Sequence, residues 1–289
     1  MNLQRVVITG GGGYMGRNLA QLFHTSGKYL VFSPSKDNLN LLNFQETKKY
    51  IENIDPHIVI HTAIKGGTVL DVDTLEDTRD NVRMYDNLAS VVPENVMMII
   101  IGSGSEFDRS QDIDCAIEKD MVRSYPIDPY GLAKNIITRK AMEDTNTMIF
   151  RLFGCFNENE DNYRFIKRCI LNIKEGKPIV INQNRMMDFF YMDDVFTAMD
   201  FYLEGETFNN GGLPHMNLVY NEKFSLLNIT SLIIAASGKK NYPIEIHELG
   251  MGKAYTGDGS RLHSITDKNN DFKLIGLEEG IVRTCRALL

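Results

Sequence analysis

Thr9-Gly10-Gly11-Gly12-Gly13-Tyr14-Met15-Gly16 joins two stretches of different periodicity. Before it, Val6-Val7-Ile8 is a short continuous apolar run that reads as a strand. After it, Met15, Leu19, Leu22 and Phe23 mark one face of a helix from Tyr14 to Ser26, with Gly27 where a helix commonly terminates. Gly10, Gly13 and Gly16 are spaced so that a tight turn forms and backbone amides reach a pyrophosphate at the positive end of that helix. Glycine-rich turns are common by themselves. The position between a strand and an amphipathic helix is what points this one to a dinucleotide.

Moving outward, Leu30-Val31-Phe32, Ile58-Val59-Ile60, Val96 to Ile101 and Met148-Ile149-Phe150 repeat the strand pattern. All are continuous apolar runs, which suits parallel strands covered by helices on both faces. The second half is less regular. Asn157 to Asn162 is polar and turn-rich, Asn209-Asn210-Gly211-Gly212 is a breaker, and helices are expected from Ser225 to Ser237 and from Glu278 onward. The expected fold is α/β, a Rossmann-type doubly wound parallel sheet with a smaller mixed C-terminal substrate lobe. Residues 1–155 would form the NADP(H)-binding domain, with a later return around 180–205, and residues 156–289 mainly the substrate-binding lobe.

The chain has 289 residues, 43% hydrophobic and 24% charged, enough to bury a proper core. A net charge of -7 argues against a nucleic-acid binder, which needs a surplus of Lys and Arg. Cys115, Cys155, Cys169 and Cys285 show no metal-ligand spacing, so no metal is expected. No apolar stretch approaches the roughly 20 residues of a membrane span. The first strand begins almost at once, leaving no room for a signal peptide, and cytoplasmic location is the default.

The end of the second strand reads Ser33-Pro34-Ser35-Lys36-Asp37. An acidic side chain there would pair with the ribose hydroxyls of NAD and repel a 2′-phosphate. Ser33, Ser35 and Lys36 favour the phosphate and hence NADP(H). Asp37 complicates the case and leaves NAD(H) open, and Lys36 also reads as a solvated loop charge.

In Asp128-Pro129-Tyr130-Gly131-Leu132-Ala133-Lys134, Pro129 suits a helix start and puts Tyr130 and Lys134 on one face. A nearby ammonium favours the phenolate, as a general acid/base for carbinol–ketone interconversion requires. Upstream, the strand Val96 to Ile101 runs into Gly102-Ser103-Gly104-Ser105-Glu106-Phe107. Carboxyl ends of strands line the ligand crevice of a doubly wound sheet, so Ser103 is placed to hydrogen-bond a reacting oxygen. Alone, the serine reads as an ordinary turn residue and the Tyr–Lys pair as an exposed helix face.

Together, the glycine loop, Ser103 and Tyr130-x-x-x-Lys134 resemble the extended short-chain dehydrogenase/reductase (NAD-dependent epimerase/dehydratase) family. Asn81, Asn87-Leu88, His61-Thr62-Ala63 and Asp188-Phe189-Phe190-Tyr191-Met192-Asp193-Asp194-Val195 extend the likeness over nearly the whole chain. Within the family, Lys36 to Leu42, Lys65-Gly66-Gly67 and Thr256 to Arg261 are similar to GDP-fucose synthase-like nucleotide-sugar reductases. The resemblance implies Tyr130 as proton donor, Lys134 as holder of the nicotinamide ribose and Ser103 as the group orienting the ketone oxygen. Asn81 would support the local network. Gly10, Gly13, Tyr14, Met15 and Gly16 would carry the pyrophosphate, with Ala63 and Phe153 also lining the cofactor.

The departures matter as much. In the resembled enzymes a cysteine near the catalytic serine and a histidine in the substrate lobe serve epimerisation. Ser105 stands for the cysteine, and Asn162 to Lys167 contains no histidine. A hydroxyl is a far poorer acid or base than a thiol, and an arginine stays protonated. Met187 replaces the usual arginine before Asp-Phe, leaving Arg164, Lys167, Arg185 and Arg261 as candidates for a sugar-nucleotide diphosphate. The expected activity is NADPH-dependent reduction of a nucleotide-linked 4-keto-6-deoxy sugar, a GDP-sugar favoured, without epimerisation. Alternatives are an NAD-dependent sugar-nucleotide epimerase and a non-catalytic dinucleotide-sensing protein. Helices at Asn81 to Val91 and Tyr130 to Glu143 match those that pair relatives into dimers, so a homodimer is expected; Met84, Leu88, Ile136, Ile137 and Met142 offer apolar contacts, several of which also read as facing the sheet.

Overall fold

The computed structural model describes residues 3–68, 72–205, 215–268 and 272–289; the breaker expected at Asn209 to Gly212 lies outside them. The chain begins β1 (Gln4–Thr9), α1 (Tyr14–Thr25), β2 (Tyr29–Phe32), α2 (Phe44–Ile54), β3 (Ile58–His61) and α3 (Leu75–Ala89). It continues with β4 (Met97–Ser103), β5 (Ile113–Ala116), α4 (Pro129–Ala141), β6 (Thr147–Leu152) and β7 (Cys155–Phe156). Next come α5 (Phe165–Lys174), β8 (Ile179–Asn184), β9 (Phe190–Tyr191), α6 (Met192–Glu204) and β10 (His215–Leu218). The chain closes with α7 (Leu226–Ala236), β11 (Ile244–Met251), β12 (Tyr255–Gly257), α8 (Ser260–Thr266) and α9 (Leu277–Leu288).

The main sheet has the order β10-β6-β4-β3-β1-β2. β1 pairs in parallel with β2 and with β3, Val6 standing opposite both Val31 and Ile58, and β3 pairs in parallel with β4. The chain leaves β1 towards β2 and leaves β3 towards β4. Adjacent connections therefore depart in opposite directions, and the carboxyl ends of β1 and β3 flank a topological switch point. The apolar runs are buried: Val7, Val59, Ile100 and Ile149 pack in one cluster with Met84 and Leu88 of α3 and Ile137 of α4. Met84, Leu88 and Ile137 thus face the sheet of their own chain.

Helix α3 starts at Leu75, six residues before Asn81. Thr74 explains the earlier start: its hydroxyl accepts from the Asp77 amide at 3.2 Å while the Asp77 carboxylate accepts from the Thr74 amide at 2.9 Å.

Two compact units divide the described residues. The first comprises Met1–Ser110, Glu118–Arg151 and Gly211–Met216; the second comprises Gln111–Ile117, Leu152–Asn210 and Asn217–Leu289. The stretch 180–205, expected to return to the first domain, lies in the second unit, where β8 pairs with β11. The strand that joins the main sheet is β10. The second unit also pairs β5 with β12 and β7 with β9. Its core gathers Ile166 and Ile170 of α5, Ile229 and Ile233 of α7 and Ile281 of α9. Buried Asp194 accepts from the amides of Ile275 (2.7 Å) and Gly276 (2.9 Å), fixing the entry to α9.

Candidate active site

Gly10 has a left-handed backbone (φ 75°) directly against the end of β3, where an added Cβ would lie 2.8 Å from Ala63 Cα. Gly16 and Gly11 are as constrained, facing the Gly10 carbonyl and the Ser33 backbone. Gly13 differs. It is exposed, and a Cβ there would touch only the Gly10 oxygen, at 3.4 Å. Gly13 is also the N-cap of α1 and supplies no side-chain cap. The start of the helix is thus kept bare, with Tyr14 and Met15 half-buried behind it, which fits a pyrophosphate at the amides.

The end of β2 packs onto this loop, the Gly11 amide donating to the Pro34 carbonyl at 2.9 Å. Ser33 Oγ donates to the Ile8 carbonyl (3.2 Å) and Ser35 Oγ to Asn38 Oδ1 (2.9 Å), so both hydroxyls shape the turn, while Lys36 is exposed beyond them. On the β3 side, Thr62 Oγ1 donates to the Thr9 carbonyl at 2.7 Å. His61 shares a 2.9 Å hydrogen bond with Thr9 Oγ1; burial first, and then the charge of Lys134, push its pKa down to about 3. It is neutral at working pH.

Asp128 caps α4, its Oδ1 accepting from the Gly131 amide at 2.8 Å, and Pro129 occupies the first turn. Tyr130 follows, half-buried, and Lys134 lies one turn on, buried, with Nζ donating to the Ile101 carbonyl at 2.7 Å. Burial pushes the Lys134 pKa down to about 8, with Glu106 pulling the other way. Gly67, also left-handed (φ 77°), packs so closely on Tyr130 that a side chain there would run into the ring. That segment is clamped by Asn81, whose amide accepts from the Lys65 N–H (2.7 Å) and donates to the Lys65 carbonyl (2.9 Å).

Ser103 ends β4, and its hydroxyl accepts from the Ser105 amide at 3.2 Å. Its own amide donates to Glu106 Oε1 at 2.7 Å, which closes a capping box over the short 3-10 turn Gly104–Phe107. Buried Ser105 sits beside the first turn of α4, where its carbonyl leaves no room for a Cβ on Gly131. Ser103, Ser105, Tyr130, Lys134, Asn81, Ala63, the glycine loop and the β2 turn all belong to the first unit.

Phe153 and the four cationic candidates belong to the second. Phe153 is buried, 5.2 Å from the Tyr255 ring centroid. Lys167 Nζ donates to the carbonyls of Glu158 (2.8 Å) and Glu160 (2.7 Å). Arg164 is the N-cap of α5, its Nε 3.9 Å from Glu160 Oε2. Burial pushes the Glu160 carboxyl up to about 8. Arg185 is exposed on the segment after β8, and Arg261 is half-buried in the first turn of α8.

Several neighbours of the site were not anticipated. Gly67 and Arg109 both touch Tyr130, and Arg151 pairs with Glu106 in full burial. Two of them carry a readable signal: Glu106 in the Ser-x-x-Glu spacing of a capping box, and Gly67 in the family-like Lys65-Gly66-Gly67 segment. Among the described residues, no cluster of three or more His, Cys, Asp or Glu side chains is placed to hold a metal. No described helix is long and apolar enough to cross a membrane.

A glycine loop at a switch point, with a Tyr-x-x-x-Lys helix in the same unit, defines an extended short-chain dehydrogenase/reductase architecture. Residues 6–218 match the NAD dependent epimerase/dehydratase family, and the chain belongs to that family. It is 24% identical over 314 residues to GDP-L-colitose synthase of Yersinia pseudotuberculosis, covering 99% of this chain and 98% of that one. Among solved structures it is similar to a GDP-D-glycero-L-gluco-heptose synthase from Campylobacter jejuni in the presence of NADPH. The TM-score is 0.83 at 15% identity, covering 100% and 99% of the two chains. A GDP-mannoheptose C4 reductase from the same organism, with NADP bound, has a TM-score of 0.81 at 15% identity and covers 99% and 98%. At that identity the likeness is one of fold.

Proposed function

We propose that the protein is an NADPH-dependent reductase of a nucleotide-linked 4-keto-6-deoxy sugar, a GDP-sugar favoured, that works without epimerisation. The observation that carries the reading is half-buried Tyr130 one helical turn before buried Lys134, in the same unit as a glycine loop whose helix start is bare. Relatives named for GDP-sugar synthesis or C4 reduction, two of them solved with NADP or NADPH, support the substrate class and the cofactor.

NADPH, when bound, supplies the hydride. Gly10, Gly13, Tyr14, Met15 and Gly16 would hold the pyrophosphate, Ala63 and Phe153 would line the cofactor, and Lys36 would bind the 2′-phosphate, with Ser33 and Ser35 shaping its turn. Tyr130 donates its hydroxyl proton to the ketone oxygen as the carbinol forms, and Ser103 orients that oxygen. Lys134 stabilises the phenolate left behind, and its lowered pKa places its own proton within reach of neutral pH. Asn81 positions the Lys65–Gly67 segment against Tyr130. Ser105, Arg164, Lys167, Arg185 and Arg261 are the proposed substrate contacts. The proposed state is a cytoplasmic homodimer formed through α3 and α4, which light scattering reads directly.

Epimerisation needs a base of suitable pKa beside the carbons flanking the ketone. Ser105 is a hydroxyl, and His215, one of the residues distant in sequence that could take the place of the missing histidine, is buried in β10 of the main sheet. The test is incubation with GDP-4-keto-6-deoxymannose and NADPH in deuterated water, with products read by NMR. The expected result is NADPH oxidation with no enzyme-dependent deuterium at the ring carbons beside the ketone. Incorporation above the spontaneous rate, or tightly held NAD with no net oxidation of NADPH, would favour the epimerase. A second test concerns Lys36→Ala, which removes a charge-assisted contact to a group that only NADPH carries. A contact of roughly 1.5–3 kcal/mol gives a loss of about tenfold or more in affinity for NADPH relative to NADH. Equal losses for both would return Lys36 to a solvated loop charge.

A further inference from the structure

Arg109 has no role in the chemistry above. It follows Asp108, whose left-handed backbone (φ 43°) ends the 3-10 turn begun at Ser103. This conformation is unfavourable for most side chains; here the Asp108 carboxylate accepts from the Ser110 amide at 3.1 Å and locks the turn. The guanidinium of Arg109 stands over the Tyr130 ring, 6.0 Å from its centroid. Its Nη2 donates to Asp128 Oδ1 at 2.6 Å, the same carboxylate that caps the helix bearing Tyr130. The Arg109 side chain is 46% exposed, and exposed ion pairs contribute little to folding. A cation within about 6 Å of an aromatic face is attracted to the ring and favours negative charge on it.

We infer that Arg109 is a positioning residue for Tyr130: its guanidinium fixes the ring against the first turn of α4 and, together with Lys134, favours the phenolate. The inference rests on Tyr130 as the proton donor. The other charged groups on the elements around Tyr130 leave this role open. On the segment before α3 and on α3, Lys65 is paired with Asp77 and Asp80. Glu106 is paired with Arg151, and His61 is neutral. Asp73, which accepts from the Gly67 amide at 2.8 Å, and Asp128 then oppose Arg109 and Lys134. Without Arg109, Asp128 loses its cation. Both changes disfavour the phenolate.

The test needs no substrate. Tyrosinate absorbance is titrated in the intact protein and in Tyr130→Phe, and the difference isolates Tyr130 among the 12 tyrosines. Burial pushes Tyr85, Tyr202 and Tyr220 well above the ordinary phenol range, which keeps them out of the way. The subtraction is repeated in Arg109→Gln and Arg109→Lys backgrounds. The Tyr130 midpoint is expected to rise by about one pH unit in Arg109→Gln and to stay near the parent value in Arg109→Lys, which keeps the charge. The alkaline limb of kcat/KM for reduction moves upward by the same amount. An unchanged midpoint in Arg109→Gln overturns the inference, even if turnover falls. A shifted midpoint in a protein that reduces no GDP-4-keto-sugar supports the coupling and sinks the proposed substrate class instead.

Discussion

Tyr130→Phe is expected to lower the rate of ketone reduction by about 10²–10⁴-fold while leaving the fold and NADPH binding in place. The substitution removes one oxygen and no ring carbon. Gly67 packs against the ring itself, and Asp128 and Pro129 build the helix start from the backbone outward, so neither contact depends on the hydroxyl. The lysine has its own anchor at the Ile101 carbonyl and remains buried. What is lost is the group that, in the proposed reaction, passes a proton to the carbinol oxygen as negative charge develops there. Single-turnover reduction of GDP-4-keto-6-deoxymannose reads the chemical step, and quenching or enhancement of NADPH fluorescence reads binding. Near-normal turnover with intact binding would remove Tyr130 from the reaction.

The parts of this molecule that sequence made legible are those whose causes are local. Continuous apolar runs mark β1, β3, β4 and β6 because strands covered on both faces have no polar side to alternate with; β2, at the sheet edge, carries the same run with Leu30 exposed. The glycine loop is readable because it sits directly between a strand and a helix and Gly16 faces the Gly10 carbonyl of the same turn, although Gly10 itself answers to Ala63 beyond β3. The Tyr130–Lys134 spacing is one turn of a helix whose cap, Asp128, is adjacent in sequence.

The rest depends on partners distant in sequence. Strand β5 pairs with β12 across nearly half the chain, with Tyr255 opposite Ile113, which is why residues 111–117 leave the unit that surrounds them in sequence. Strand β8 looked like a return to the first domain until its pairing with β11 placed it elsewhere. Arg109 is an unremarkable charge in a linear reading. Only the left-handed turn at Asp108 brings it over Tyr130.

The same limit hides a fully buried ion pair. Arg151→Met is expected to destabilise the protein by about 3–5 kcal/mol, the usual consequence of leaving one member of a buried ion pair without its partner. Arg151 and Glu106 are both fully buried. Arg151 donates from Nε (2.9 Å) and Nη2 (2.7 Å) to Glu106 Oε2. Glu106 Oε1 accepts from the Ser103 amide at 2.7 Å, so the carboxylate joins β6 to the end of β4 at Ser103. Methionine keeps much of the volume, and its flexible chain fills the space beside Phe107, whose ring lies 5.2 Å from the guanidinium carbon. Packing loss is therefore small, and the penalty comes from Glu106, which keeps one hydrogen bond and loses its counter-charge. Replacing both partners removes the stranded charge. Glu106→Gln combined with Arg151→Met should recover a large part of the loss, because Gln still accepts from Ser103. Urea unfolding of the parent, both single variants and the double variant gives the coupling directly. Two single variants within about 1 kcal/mol of the parent, with no coupling between them, would show that the pair is not what fixes this turn. A destabilised single variant rescued by the second change, with Ser103-dependent turnover returning alongside stability, is the outcome the buried geometry requires.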